Sequence, residues 1–320
     1  MGFFNRIWMK RQLPAIRSQH PRFSIALGGG GARGAAHLGV MQRLSEDRLD
    51  VQRIVGVSMG AMVGAMCAVD SDVRAVQRRA IQMLRSPAFI AKQQTLGAAA
   101  HKPGQHTDVG LFSWYEKIKR YVAVHRKYSR VVNGSALLDS DLLRQAINAL
   151  VPDIDISQTQ VPLSIVAVDL YSGMKVVLEN GSLRTAVEAS MAIPGIFPPV
   201  PYCGMLLCDV GAIDSLPIDV ARSYRHDLSI AVDVSQAPTA IDHCHNALDV
   251  MVRMEEIGER LMRRKVLPEA DVVIRPELHR IAWFDFHRVE SLIDAGYRAA
   301  DEALRELGPG KLASRRRLVG

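Results

Sequence analysis

Val51-Gln52-Arg53-Ile54-Val55-Gly56-Val57-Ser58-Met59-Gly60 reads as a short buried strand that runs into a sharp turn, with a helix behind it. The strand covers residues 51–57 and closes on Gly-x-Ser-x-Gly at residues 56–60. That spacing has a physical cause. A serine on a tight strand-to-helix turn holds strained backbone angles, and the small neighbours Gly56 and Gly60 prevent collisions there. The turn lifts the hydroxyl off the sheet. The helix N-terminus supplies backbone N–H groups and the positive end of its dipole. The residues that follow are rich in Ala, Met and Gly, which lets a helix pack close to a sheet. The competing reading is a purely structural turn; the strand–helix context favours Ser58 as a nucleophile.

Upstream, Phe23 to Leu27 forms a second apolar run, ending in four glycines, Gly28 to Gly31. A helix follows, with Leu38, Met41 and Leu44 on one face. This alternation of strand and helix predicts an α/β fold around a largely parallel sheet. The glycine run admits three readings. As a dinucleotide fingerprint, Gly29-x-Gly31-x-x-Gly34 lacks the acidic residue expected about 20 residues later. As a nucleotide phosphate loop, it has Ala35-Ala36 where Lys-Ser/Thr is needed. As an oxyanion hole it fits, because consecutive glycines let backbone N–H groups converge beside a helix N-terminus. Arg33 either holds that loop in shape and adds positive potential, or is a surface charge.

Downstream, residues 92–135 read as a surface insertion, a candidate lid. A helix runs from Asp139 or Ser140 to about Leu150. Leu163–Asp169 and Lys175–Leu178 flank Tyr171-Ser172-Gly173 as a hairpin. Leu183–Met191 reads as helical, and Met205–Cys208 as a strand leading into Asp209-Val210-Gly211. Strands at Leu228–Val234 and Asp271–Ile274 bracket a long helix from about Asn246 to Lys265, and a last helix covers Val289–Leu307. The expected organisation is a basic tail at 1–22, a catalytic region at 23–222, strands and helices completing the same domain at 223–306, and a basic tail at 307–320.

Composition narrows the class. The 320 residues, 48% hydrophobic and 23% charged, match an ordinary globular protein. No run reaches the roughly 20 apolar residues of a membrane span. Arg6 and Lys10 interrupt the apolar N-terminus, so no secretory signal is expected, and Arg6 replaces the Ser/Thr of a myristoylation motif. The four cysteines show no Cys-x-x-Cys pair and no metal-ligand spacing, as in a reduced, cytoplasmic protein. The net charge of +7 gathers partly at the two ends, which suggests peripheral contact with anionic membrane. No aromatic-plus-basic platform accompanies it, so no nucleic acid is expected as a partner.

Motif order separates hydrolase types. In common α/β-hydrolases the elbow serine follows several strands and a late histidine completes a triad. Here only two strands precede Ser58. The ten histidines are scattered: His287 is the best triad candidate, and His37 reads as a packed or surface histidine rather than a base.

From about Phe23 to at least Pro217 the chain resembles the patatin-like phospholipases, especially their compact bacterial members. Four pieces in order carry the resemblance: Gly29-Gly30-Gly31-Ala32-Arg33-Gly34, Gly56-Val57-Ser58-Met59-Gly60, Ala189-Ser190-Met191-Ala192-Ile193-Pro194-Gly195-Ile196-Phe197-Pro198-Pro199, and Asp209-Val210-Gly211. The resemblance implies a three-layer fold, a mostly parallel sheet between helices. It also implies a Ser-Asp dyad with no histidine, metal or cofactor, cleaving acyl esters of lipids. On this sequence Ser58 takes the nucleophile position, Asp209 the base, and Gly29, Gly30 and Gly31 the oxyanion hole. Arg33, Gly34, Gly56, Met59, Gly60 and Gly211 support them.

One residue departs from the pattern: Val210 stands where the family usually has glycine. Either the turn at Asp209 is ordinary here, or the carboxylate is displaced and activity falls. Asp169 and Asp214 are the rival carboxylates, Asp169 ending a strand that leads into a hairpin. The alternative to an enzyme is a weak or inactive relative that binds lipid or a protein partner.

Overall fold

The structure, a computed structural model, describes residues 21–91, 140–236, 244, 247–278, 281 and 285–307. One eight-stranded sheet holds β1 (Arg22–Leu27), β2 (Asp50–Val57), β3 (Leu163–Asp169), β4 (Lys175–Leu178), β5 (Val200–Tyr202), β6 (Met205–Cys208), β7 (Leu228–Val232) and β8 (Val272–Ile274). Its order is β5-β6-β3-β2-β1-β7-β8, with β4 also paired to β3. From β3 to β8 the pairing along this order is parallel, while β4, β5 and β6 form an antiparallel margin. The flanking helices are α1 (Ala36–Glu46), α2 (Met59–Val69), α3 (Val73–Leu84), α4 (Asp141–Leu150), α5 (Leu183–Met191), α6 (Ile218–Ser223), α7 (Ala247–Val266) and α8 (Val289–Leu307).

The central strands are apolar on both faces because both faces are covered. In β1, Phe23, Ile25 and Leu27 join one core with α1, α2, α5 and α8, whereas Ala26 faces a second core under α6. In β2 the same alternation sends Ile54 to the first core and Val55 and Val57 to the second. Helices thus lie on both faces, the expected three-layer α/β arrangement. α2, Met59 to Val69, is apolar all round and almost wholly buried.

β1 is the switch point. The chain passes from it through α1 to β2 on one side, and β7 pairs with it on the other. Crevices open at the carboxyl ends of strands at such a point. The loop after β1 holds the four glycines, and the loop after β2 holds Ser58, so both emerge on one edge of the sheet.

Element boundaries agree with the sequence reading at β3, β4, α5, β6 and α8. The strands β7 and β8 are shorter than expected, ending the ladder at Val232 and starting it at Val272. α3 was not anticipated. It starts where the Asp72 side chain accepts from the Ala75 amide, a capping signal that lies just past a uniformly apolar helix. The insertion at 92–135 and most of both basic tails lie outside the described residues.

Candidate active site

Ser58 stands between β2 and α2 with φ 54° and ψ −122°, a left-handed conformation rare for a side chain of this kind and costly by roughly 1–3 kcal/mol. Three contacts impose it. The Ser58 N–H donates to Ser190 Oγ at 2.9 Å, and the Ser190 hydroxyl donates in turn to the Val166 carbonyl of β3 at 2.7 Å. Gly60 lies so close to the Leu27 carbonyl of β1 that any β-carbon would collide with it. Gly56, near the end of β2, meets the Gly60 backbone in the same way. The turn is pinned from two strands and a helix end, and Ser58 is only 5% exposed.

Asp209 reaches the same place from the antiparallel margin. Its N–H donates to the Ala192 carbonyl at 2.9 Å, just past α5. Its carboxylate accepts the Gly211 amide at 2.7 Å, and the Ser58 hydroxyl is near enough to favour its charged form. Burial pushes this carboxyl up to about 6, against the pull of those two donors. Val210 resolves the question its sequence raised. Asp209 has φ −62° and ψ 122°, and Val210 is not among the residues with positive φ. Val210 opens a 3-10 turn, Val210–Ala212, and is buried in the second core with Val57, Leu216 and Ile218. The turn is ordinary, and a glycine is needed one residue later, where a β-carbon at Gly211 would crowd the Asp209 carboxylate.

The glycine loop is held by groups on every side. His37, wholly buried, donates from Nε2 to the Gly28 carbonyl at 2.7 Å. Burial pushes His37 down to about 4, so it is neutral at ordinary pH and acts as a strut, not a base. Arg33 is buried and donates from Nε to the Gly30 carbonyl at 3.1 Å, which removes the surface-charge reading. Burial, then the nearby Arg263, lowers Arg33 to about 10. Gly31 takes φ 58° as the loop enters the 3-10 turn Gly31–Ala35, and Gly34 in that turn packs on the Met59 side chain. The Gly29 N–H donates to the Ser215 carbonyl at 2.8 Å. Among the described residues Gly30 and Gly31 are the loop amides without an acceptor.

α7 closes this arrangement with its charged side. Glu259 accepts from the Ser215 hydroxyl and pairs with Arg263 at 2.8 Å. Arg263 lies 3.9 Å from the buried Asp233, which Arg275 also meets at 2.9 Å. Glu255 faces the Asp209 region, and burial, then Glu256 and Asp209, push it up to about 7.

The other candidates fall elsewhere. Asp169 ties its own hairpin, accepting from Ser172 and the Leu206 amide, and the Ser172 hydroxyl first among these bonds lowers it to about 2. Asp214 pairs with Lys175 at 2.8 Å. His287 is exposed on the turn before α8. Among the described residues no group of His, Cys, Asp or Glu is arranged to hold a metal ion, and no helix is long and apolar enough to cross a membrane. Sequence reasoning missed the roles of Ser190 and Ala192. The Ala189–Pro199 stretch was noticed as a motif; its chemistry lay in which backbone groups it would meet.

Comparisons with known proteins follow the same lines. The patatin-like phospholipase model matches residues 25–222. An uncharacterized NTE family protein of Mycobacterium tuberculosis is 31% identical over 218 residues, 68% of this chain and 50% of that one. Patatin-like phospholipase domain-containing protein 6 of Homo sapiens is 26% identical over 301 residues, 86% of this chain and 20% of its own length. The chain therefore spans half of the mycobacterial relative and a fifth of the human one. The crystal structure of VipD from Legionella pneumophila covers 90% of this chain and 67% of its own at 14% identity, with a TM-score of 0.45. With a family model matched along more than half of its 320 residues, the chain belongs to the patatin-like phospholipase family.

Proposed function

We propose that the chain is a lipid acyl-hydrolase that works through Ser58 and Asp209 alone, with the Gly30 and Gly31 amides as its oxyanion hole. The observation that carries this reading is the meeting of a buried Ser58, held at φ 54°, with the buried Asp209 carboxylate, which burial raises to about 6 and the Ser58 hydroxyl pulls back. A carboxylate near its ordinary value is a weak base; raised, it is better matched to taking a proton near neutrality. Family membership supports a lipid ester as substrate.

The chemistry runs in two halves. Ser58 Oγ attacks the ester carbonyl carbon as Asp209 accepts its proton, and the carbonyl electrons move onto an oxygen facing the glycine amides. The intermediate collapses, the ester C–O bond breaks, and the leaving alcohol takes the proton from Asp209. A water then gives its proton to Asp209 and attacks the acyl-serine. The fatty acid leaves and the proton returns to Ser58.

A fluorophosphonate probe and a chromogenic medium-chain ester test the dyad. The full chain should be labelled at Ser58 and should turn over the ester, and Ser58→Ala and Asp209→Asn, both folded, should not. Turnover retained in either variant would sink the proposal. A panel of phospholipids and neutral glycerides then identifies the lipid.

A further inference from the structure

α7 is built inside out. Successive residues of a helix turn by about 100°, so Val250, Met251, Met254, Leu261 and Met262 fall on one stripe. That stripe faces solvent: Met251 is 67% exposed, Met254 60% and Leu261 59%. The opposite face carries Asp249, Glu256, Glu259 and Arg263, and it is turned toward the protein. The reason lies beneath it. Glu259 and Arg263 answer Ser215 and Asp233 beside the glycine loop, so the charged side must point inward. The helix lies on the 3-10 turn that follows Asp209, so its apolar back is the outer surface of the site's own wall.

The stripe spans about 18 Å from residue 250 to 262 at 1.5 Å per residue. Its exposed charges are of one sign, although the half-buried Glu255 follows Met251 and Met262 around the helix. The exposed charged residues of α7 are Arg260, Arg264 and Lys265, all positive; its acidic residues are buried or half-buried. Arg260 and Arg264, one turn apart, edge the stripe along one side. Further exposed apolar groups follow the 3-10 turn that α7 touches. Ile213, 58% exposed, lies just after the Asp209 turn, and the Lys175–Asp214 ion pair holds the β3–β4 hairpin beside it, with Met174 exposed at the hairpin's end.

We propose that the outward face of α7 is a docking surface for an anionic lipid bilayer, which sets the Ser58 site against the membrane. An apolar helical stripe edged by cations is the pattern of a helix lying in the plane of a bilayer interface, with its apolar face among the acyl chains. Anionic headgroups meet the three cations. A second copy of the chain meets them less well, because α7 offers no exposed carboxylate to receive its partner's arginines. The inference goes beyond the hydrolase reading and is measured without turnover.

The test is co-sedimentation of the full chain with vesicles of phosphatidylcholine alone or with phosphatidylglycerol added, at low and high salt. The wild type should bind the anionic vesicles and release partly at high salt. Met251→Gln/Met254→Gln/Leu261→Gln should bind at least about tenfold more weakly, since three apolar groups no longer enter the interface. It should still take the fluorophosphonate probe and hydrolyse a monomeric short-chain ester as the wild type does. Arg260→Glu/Arg264→Glu should weaken binding to anionic vesicles and leave the weak binding to phosphatidylcholine unchanged. Equal vesicle binding by the triple variant and wild type overturns the proposal, and so does a wild type that ignores anionic vesicles. Light scattering that finds a dimer, made monomeric by the triple substitution, assigns the stripe to a second copy and also overturns it. If probe labelling fails while vesicle binding depends on the stripe, only the hydrolase reading falls.

Discussion

Replacing Asp209 with Asn should abolish turnover and, at neutral pH and above, alter stability in a way that reports directly on the base. Burial lifts this carboxyl from 3.8 to about 6 in the folded protein, whereas in the unfolded chain it titrates near ~3.9. Between those values the folded state holds a proton that unfolding releases. Stability therefore falls as pH rises through this window, and the loss is complete above about pH 6 to 7. Asp209 is 4% exposed, so solvent screening takes little from this effect. A shift of about two units corresponds to about 3 kcal/mol, at 1.36 kcal/mol per unit.

Asparagine does not titrate, so the variant escapes that loss. It introduces a new offset, because its NH2 group enters a site whose neighbours, the Gly211 amide and the Ser58 hydroxyl, are donors. That mismatch costs roughly 1–3 kcal/mol, and it is the same at every pH. The informative quantity is the slope. Measured against wild type, the variant should gain about 1.4 kcal/mol between about pH 5 and pH 8, the part of the full effect that develops there. Glu255 titrates in both proteins and largely cancels. Urea unfolding followed by far-ultraviolet circular dichroism at four pH values measures the difference, provided the m-values agree. A difference that stays flat across this range would refute the claim that the Asp209 carboxyl is raised by burial.

The same carboxyl sets the activity profile. The rate constant kcat/KM for a soluble ester should rise about tenfold per pH unit below about pH 6 and then level off, and initial rates across pH 5 to 8 check it. Ser190→Ala leaves the buried Ser58 amide and Val166 carbonyl without their shared hydroxyl. The expected result is a loss of about 1–3 kcal/mol in unfolding free energy, with kcat reduced more than KM is changed. Val210→Gly restores the family's usual residue, yet it should not raise kcat, because Val210 already sits in an ordinary turn. Emptying its place in the core should instead cost about 2–4 kcal/mol, read by denaturation beside the ester assay. A higher kcat in that variant would mean that the valine holds the carboxylate off its mark.

Most of the fold was legible because its signals are local. β1, β2 and β3 are mainly apolar runs, each holding three or more consecutive buried residues, and the glycines at the ends of two of them mark the carboxyl edge of a parallel sheet. The strained turn at Ser58 could be found because it needs glycines at fixed distances on either side. Asp209 could be located through a motif, while its place near Ser58 arises from pairing between β3 and β6, about 40 residues apart. The role of Ser190 was hidden for a related reason. Nothing in the Ala189–Pro199 stretch says that one hydroxyl will accept from an amide 132 residues away and donate to a third strand. The glycine loop shows a finer limit: four glycines offer several amides, and only tertiary contact reveals that the Ser215 carbonyl accepts the one at Gly29.

α7 shows where periodicity gives the right element and the wrong orientation. A 3.6-residue pattern predicts a helix and normally assigns its apolar stripe to the core. Here the core-facing side is chosen by charge. Arg33 and Asp233 are buried beside the glycine loop, and leaving buried charges without answering groups is more costly than leaving several methionines in water. Glu259 and Arg263 supply part of that answer, so α7 turns them inward and exposes its methionines. The electrostatics that hold the glycine loop in shape thus also create the apolar outer surface. If that surface meets a bilayer, support of the catalytic loop and delivery to the substrate are two faces of one helix. Breaking the inner face should then disturb both, whereas breaking the outer face should disturb delivery alone.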